Sequence, residues 1–240
     1  MKPPLLIKLV IGILCITYVV SCKMSSSDHS KSRNRSNKEG YTSGLNSETL
    51  LPPDDYIKWI KTADNGLFVS KEVGDITYSI QYEPLEYVAL RNLKTKSVSK
   101  EQLKNETDRL SDLQYYTLKI STSKGTDILK YGAEGQYEFN QRIDYYSFRM
   151  QSDLKLVEES DTLPCVLFHF ERTYGISPYS CFVLAFELTV GEKAGVSEGK
   201  KYRHKDKQFI FYDQTLKNGI IKLKLRGNNL DQLPILKTSS

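Results

Sequence analysis

Apolar and polar residues alternate along several stretches of the chain, which is the pattern of half-buried β-strands. Residues 75–82 follow it, and in residues 113–121 the side chains of Tyr116, Leu118 and Ile120 share one face. The second half of the chain predicts further strands at residues 153–158, 163–172, 180–190, 207–212 and 219–226. Because consecutive strands with short connections usually pair antiparallel, we expect a mostly antiparallel sheet.

Helical patterns are concentrated in the first half of the chain. The segment after Pro53 has acidic residues at its start, Trp59 in its apolar stripe and Asn-Gly at its end. Residues 84–93 predict a short helix, and Ser99 with Gln102 predicts a capping box that opens a helix to about residue 111. A further helix over residues 136–150 has apolar residues at helical spacing, namely Phe139, Ile143, Tyr146 and Met150. The sequence therefore predicts a single α+β domain over residues 54–240, with a mostly antiparallel sheet and three or four helices packed on one side.

The first 22 residues carry a targeting signal. After Lys2, the apolar run LVIGILCITYVV spans about 18 Å as a helix, which is short of the roughly 30 Å of a hydrocarbon core. The run ends in Val19-Val20-Ser21-Cys22, which resembles the lipobox of bacterial lipoproteins. The resemblance implies that residues 1–21 are a signal peptide and that Cys22 carries lipid, with acyl chains such as palmitate. The alternative is an ordinary secretory signal with a chance cysteine near the cleavage site.

Residues 22–53 are expected to be the lipidated cysteine and a flexible, serine-rich linker. Positions 23–53 hold eight serines and almost no large apolar residues, so they cannot offset the entropy of ordering. By the same resemblance, Lys23 directly after the cysteine favours the outer membrane of a two-membrane bacterium. We therefore expect a domain that faces the periplasm of the cell envelope.

The charge of the chain argues against nucleic acid as a partner. The formal net charge is +5, but the first 53 residues contain seven basic and three acidic side chains. The remaining residues hold 27 basic and 26 acidic side chains, which nearly cancel. A nucleic-acid binder concentrates positive charge on its folded domain.

One cluster in the predicted strands has residue types suited to catalysis. Alternation in the segment CVLFHFER puts Cys165, Leu167, His169 and Glu171 on one face. His169 and Glu171 would then project side by side, as a general acid and base pair requires. The alternative is the polar outer face of a half-solvated antiparallel sheet.

Two cysteines remain after Cys15 leaves with the signal peptide and Cys22 takes lipid. Cys165 and Cys181 lie in consecutive predicted strands, and a hairpin centred on residue 173 would bring them opposite one another. An envelope location permits oxidation, so a disulfide between them is one expectation. Two free, buried thiols are the other.

A basic loop follows the glycine-containing segment after residue 190. It is expected either to contact anions, such as the phosphates of phospholipid or lipopolysaccharide or an acidic protein, or to be a solvated connection. Its basic residues are Lys200, Lys201, Arg203, Lys205 and Lys207.

Two functions from different classes remain open. The sequence contains no nucleophile elbow, no zinc-protease helix, no paired-cysteine motif and no phosphate-binding loop, so we expect no metal and no cofactor. The preferred interpretation is a membrane-anchored envelope protein that binds or assembles without catalysis. The alternative is an anchored hydrolase that acts on envelope material through His169 and Glu171.

Overall fold

The computed structural model describes residues 49–95, 97–173, 176–197 and 203–239. Within these ranges the strands are β1 (Leu50–Leu51), β2 (Phe68–Val73), β3 (Ile76–Glu83), β4 (Leu113–Thr122), β5 (Leu154–Glu158), β6 (Asp161–Glu171), β7 (Tyr179–Glu187), β8 (Lys207–Asp213), β9 (Gly219–Leu225) and β10 (Ile235–Leu236). The α-helices are α1 (Pro53–Ile60), α2 (Leu85–Leu93), α3 (Lys100–Leu110), α4 (Gln136–Asp144), α5 (Val190–Ser197) and α6 (Gly227–Leu230). The predicted signal peptide, Cys22 and most of the predicted linker lie outside the described residues.

Eight of the strands form one sheet, in the order β2-β3-β4-β7-β6-β5-β8-β9. Every neighbouring pair is antiparallel. The two edge strands, β2 and β9, also approach each other, so the sheet curves almost into a barrel. The predicted α+β domain with an antiparallel sheet is confirmed, although the described residues contain six helices rather than three or four.

The main hydrophobic core lies on the inner face of this curved sheet. Strand β4 contributes the stripe predicted from alternation, and β7 faces it with Phe182, Leu184 and Phe186. Trp59 on α1 is buried in the same core, as expected for a short amphipathic helix that tertiary packing must stabilise.

A smaller apolar cluster covers part of the outer face. It is formed by Val88, Tyr115 and Ala185, with Leu110 of α3 packed against it. Helices α2 and α3 also contribute to the main core, α2 through Leu90. The prediction that the helices pack on one side of the sheet is therefore wrong, because α2 and α3 contact both clusters.

Two helices follow their local signals closely. The capping box of α3 is present, with the Gln102 amide donating to Ser99 Oγ at 3.1 Å and the Ser99 amide donating to Gln102 Oε1 at 3.0 Å. Helix α4 continues as a π-helix (Tyr145–Arg149) and a 3-10 helix (Met150–Asp153). This extension keeps Tyr146 and Met150 in the core, as their spacing predicts.

Three further differences from the sequence interpretation concern strands. Strand β2 was not predicted; it pairs with β3 through a tight turn at Gly74, whose positive φ of 57° suits glycine. Strand β1 pairs with β10, so the folded part includes Leu50 and Leu51, which the sequence interpretation assigns to the linker. The predicted strand over 180–190 ends at Glu187, because Thr189 and Glu192 exchange capping hydrogen bonds that start α5.

Candidate functional site

His169 and Glu171 lie side by side on the outer face of β6. His169 is opposite Val183 and Glu171 is opposite Cys181, both on β7. Both predicted site residues are exposed, and they share a face as their spacing predicts. Neither residue lines the groove beside the basic loop or the groove beside Lys155. The pair therefore occupies an open strand surface rather than a concave site.

The nearest thiol does not supply this pair with a nucleophile. The Cys181 side chain is buried beside Glu171, and burial followed by the Glu171 carboxylate raises the pKa of the thiol to about 12. The thiolate is the reactive form of cysteine, and this environment suppresses it near neutral pH. Across the sheet from Cys181, the Lys119 ammonium lies 4.7 Å from the centre of the Tyr179 ring.

Of the two expectations for Cys165 and Cys181, the structure has the free, buried thiols and not the disulfide. Cys181 is opposite Glu171, and Cys165 is opposite Phe186, so the hairpin is centred near residue 176 rather than 173. This register separates the two cysteines by several residues along the ladder.

An irregularity in β6 also puts the two cysteines on different faces. The register shifts between Cys165 and Leu167, as at a β-bulge. Cys165 therefore joins the main core, whereas Leu167 packs with the outer cluster. The expectation that Cys165 shares a face with His169 and Glu171 is wrong for this reason. Burial raises the pKa of Cys165 to about 12 as well.

The basic loop divides into exposed and buried members. Lys200 and Lys201 lie outside the described residues. Arg203 and Lys205 are exposed, as an anion-contacting loop requires. Lys207 is only 1% exposed and belongs to β8, so its prediction as an anion contact is wrong.

Lys207 is instead the centre of a buried charged cluster with two glutamates. Its Nζ lies 2.7 Å from Glu158 Oε2 and 2.6 Å from Glu192 Oε1. Glu158 ends β5, and Glu192 lies in the first turn of α5. The cluster therefore joins α5 to the inner face of the sheet.

Sequence reasoning missed this cluster, although the strand pattern contains a signal for it. Alternation along β8 puts Lys207 on the same face as Phe209 and Phe211, which are fully buried. Glu158 follows Leu154 and Leu156 at the same spacing on β5. A charged residue in register with buried neighbours on each of two paired strands indicates a buried ion pair.

A groove of about 620 Å³ lies beside the exposed part of the basic loop. Its charged groups are largely paired: Lys205 Nζ is 2.9 Å from Glu159 Oε1, and His204 Nδ1 is 3.0 Å from Asp231 Oδ1. The groove is lined by Val157, Glu159, Arg203, His204, Lys205, Asp206, Gln208 and Lys224. Its rim presents several cations, but most of them already contact a carboxylate.

A second buried polar cluster occupies the opposite end of β8. Asp213 is 1% exposed and accepts a hydrogen bond from the Tyr78 hydroxyl, which also accepts one from Asn218 Nδ2 at 2.7 Å. Burial, and then the bond to Asp213, raise the pKa of Tyr78. These contacts hold β3 against the end of the β8–β9 hairpin and keep the tyrosine neutral.

The described residues contain neither a candidate metal site nor a helix that could cross a membrane. Among them, no group of three or more histidine, cysteine, aspartate or glutamate side chains is arranged to hold a metal ion. None of the helices within the described ranges is long and apolar enough to cross a membrane.

Comparisons with other proteins give little information on function. No family model matches the sequence, and the search of curated proteins finds no match. A crystal structure described as a novel protein of unknown function from Burkholderia pseudomallei is similar over 77% of this chain and 94% of that one. The two share 13% sequence identity with a TM-score of 0.34, which is too low for any inference about this chain.

Proposed function

We propose that the protein is a lipoprotein of the bacterial cell envelope whose domain binds a partner without catalysing a reaction. Lipid on Cys22 anchors it, in the outer membrane with the domain facing the periplasm. The anchor is inferred from the lipobox resemblance of Val19-Val20-Ser21-Cys22. Two or three acyl chains hold a protein on a membrane without a spanning helix.

The binding role is inferred from the exposure of His169 and Glu171 on an open strand surface. A catalytic acid and base pair needs a concave site that surrounds the substrate and limits water. These two side chains are exposed and line neither groove. An open sheet face with mixed polar side chains is suited to contact with another surface.

The chemistry around this pair supports the same function. Hydrolysis through a covalent intermediate requires an activated nucleophile within reach of a base. The thiol next to Glu171 belongs to Cys181, and its pKa is raised to about 12. Cys181 is thus protonated near neutral pH and buried on the same face as Glu171.

Metabolic labelling with a radioactive fatty acid tests the anchor. The parent chain should incorporate label, and Cys22→Ala should lose it completely. Cys15→Ala is the matched control, because Cys15 lies in the segment that is removed before the mature protein forms. Absence of label from the parent chain would exclude the lipoprotein.

Complementation of a deletion strain tests the role of the domain. His169→Gln and Glu171→Gln remove the acid and the base but keep polar side chains on this face, so each should complement the deletion to the level of the parent gene. Glu72→Gln, at an exposed carboxylate on β2, is the control for expression and folding. Complete loss of function in His169→Gln or Glu171→Gln, with the fold intact, would favour the hydrolase instead.

A further inference from the structure

The outer face of the strands β5, β8 and β9 has an unusual composition. Along these three strands, the outward positions carry lysines, apolar residues and the uncharged Gln208, but no carboxylate. We name as the basic outer face the outward side chains of Lys155, Ile210, Tyr212, Ile220, Lys222 and Lys224. Their inward neighbours, such as Phe209 and Leu223, are buried in the main core.

The strand register brings these side chains into one patch. Lys155 is opposite Ile210, and Ile210 is opposite Lys222, so an aliphatic side chain lies between two lysines. Tyr212 is opposite Ile220 in the adjacent outward row. Neighbouring strands are about 4.8 Å apart, which puts Lys155 and Lys222 on the order of 10 Å from each other.

The charge of this patch is not balanced locally. Lys224 contacts Asp206 at 2.7 Å, at the edge of the patch. In the described part of the chain, no carboxylate lies within ion-pair distance of Lys155 or Lys222. The patch thus presents two lysines without acidic partners, around a centre that includes Tyr212 (49% exposed) and Ile220 (58% exposed).

A second groove extends the patch beyond Lys155. It is lined by Lys155 together with Phe148 and Arg149, which the π-helix after α4 directs outward. The Phe148 side chain is 77% exposed, which is a high exposure for phenylalanine. An exposed aromatic ring thus adjoins the basic outer face, together with Arg149, whose guanidinium Nε lies 2.8 Å from Asp144 Oδ2.

We propose that the basic outer face lies against anionic lipid headgroups of the membrane that anchors the chain. This assignment rests on the proposed lipid anchor at Cys22. Lysines with tyrosine and aliphatic side chains between them match a headgroup region, where cations meet phosphates and apolar groups enter the boundary. Tyr212 and Phe148 supply the aromatic contribution, and Lys155 and Lys222 supply the charge.

The covalent link to the lipid anchor makes even a weakly binding surface effective. Only residues 23–48 lie between Cys22 and the described part of the domain, so an anchored domain stays close to the bilayer. Binding of the face then becomes an intramolecular event with a high effective concentration. An acidic protein would also complement the charge of the basic outer face, and the experiment below distinguishes it from anionic lipid.

The test uses the full chain as it is produced in the host envelope, purified in detergent and reconstituted into vesicles. One set contains phosphatidylcholine alone, and the other contains equal amounts of phosphatidylcholine and phosphatidylglycerol. Flotation in high salt reports the lipid anchor, since acyl insertion is insensitive to salt. A soluble amine-reactive reagent then acylates individual lysines in low salt. Mass spectrometry of the products reports whether the basic outer face is covered.

We expect Lys155 and Lys222 to react about fivefold more slowly in the phosphatidylglycerol vesicles than in phosphatidylcholine, and high salt to remove the difference. Lys71 and Lys130, exposed outside the face, should react equally in both sets. The double variant Tyr212→Ser/Ile220→Ser should weaken the protection. The pair Lys71→Gln/Lys130→Gln should leave it unchanged.

Equal reactivity of Lys155 and Lys222 in both vesicle sets would overturn the proposal. Protection in native envelope membranes but not in protein-free vesicles would also overturn it, in favour of an acidic protein. Flotation in high salt, with no slowing of Lys155 and Lys222 acylation in low salt, would reject membrane contact by the basic outer face and retain the lipid anchor. Flotation only in low salt, and only with phosphatidylglycerol, would reject the anchor and retain the face.

Discussion

Lys207 Nζ lies 2.7 Å from Glu158 Oε2, although the two residues are 49 positions apart in the sequence. The Lys207 and Glu158 side chains are 1% and 2% exposed. Removing two charges from water is costly, and their attraction offsets that cost only when the geometry is good and further partners are present. Glu192 provides a further partner, so this cluster fixes α5 to the sheet.

Replacement of Lys207 should destabilise the domain strongly. In Lys207→Met the side chain keeps its volume, but Glu158 and Glu192 become buried carboxylates without their cation. We expect the free energy of unfolding to fall by about 3–5 kcal/mol, measured by urea denaturation at neutral pH.

Lys205→Met is the matched control for this substitution. Lys205 pairs with Glu159 at the surface, where both side chains are about half exposed or more. Exposed ion pairs contribute between about 0 and 1 kcal/mol, so this variant should remain close to the parent. Similar stability losses in the two variants would contradict the special role of the buried cluster.

Truncation of Trp59 should also destabilise the domain. Trp59 is 9% exposed and packs in the main core, so Trp59→Ala should lower the free energy of unfolding by about 3–5 kcal/mol. Phe148→Ala, at an aromatic residue that is 77% exposed, should change it by less than about 1 kcal/mol. Thermal unfolding followed by circular dichroism measures both, and an unaffected Trp59→Ala would show that the α1 contact is dispensable.

The two cysteines should be free thiols in the mature domain. Cys165 and Cys181 are far from each other in the register and face different sides of the sheet. Mass spectrometry without reductant should therefore detect two alkylated cysteines after denaturation. In the native state, alkylation at neutral pH should be slow because burial raises the pKa of both thiols to about 12.

These raised pKa values also predict how stability depends on alkaline pH. In the unfolded chain a thiol ionises with a pKa of about 8.5, whereas in the folded domain both thiols stay protonated up to about pH 12. Below pH 8.5 both states keep the protons, so these groups cause no pH dependence. Above it the unfolded state releases them first, and stability falls by up to about 1.4 kcal/mol per pH unit for each thiol.

Urea denaturation between about pH 8 and 9 measures this slope, before the tyrosines and lysines of the unfolded chain ionise appreciably. The double variant Cys165→Ala/Cys181→Ala should lose most of the slope, whatever its stability at neutral pH. An unchanged slope in the double variant would assign the alkaline sensitivity to other groups.

The folded domain should require the short strand β1. The Ile235 amide donates to the Thr49 carbonyl at 2.8 Å, and the Lys237 amide donates to the Leu51 carbonyl at 2.7 Å. A chain that starts at residue 53 loses both bonds and the contact of Leu51 with the core. It should be less stable than a chain that starts at residue 49 by about 1–3 kcal/mol. Identical melting temperatures would show that β1 contributes nothing.

The sequence by itself determined the elements that local chemistry encodes. The capping box of Ser99 and Gln102 starts α3, because its hydrogen bonds join residues three positions apart. Alternation predicted the inner stripe of β4 and the shared face of His169 and Glu171. Both signals depend only on near neighbours, since the period of a strand is a property of its own backbone.

Only the tertiary structure decided how these elements meet. The bulge after Cys165 shifts β6 against β7, and the hairpin centre moves by three residues, which separates the cysteines. Strand pairing sets this register over distances that a local pattern does not measure. The sequence predicts that Lys207 belongs to a basic loop. In the structure it is buried, because Glu158 and Glu192 approach it from β5 and α5. Lysine is almost never fully buried unless it is paired, and the fold alone brings these two carboxylates within reach of Lys207.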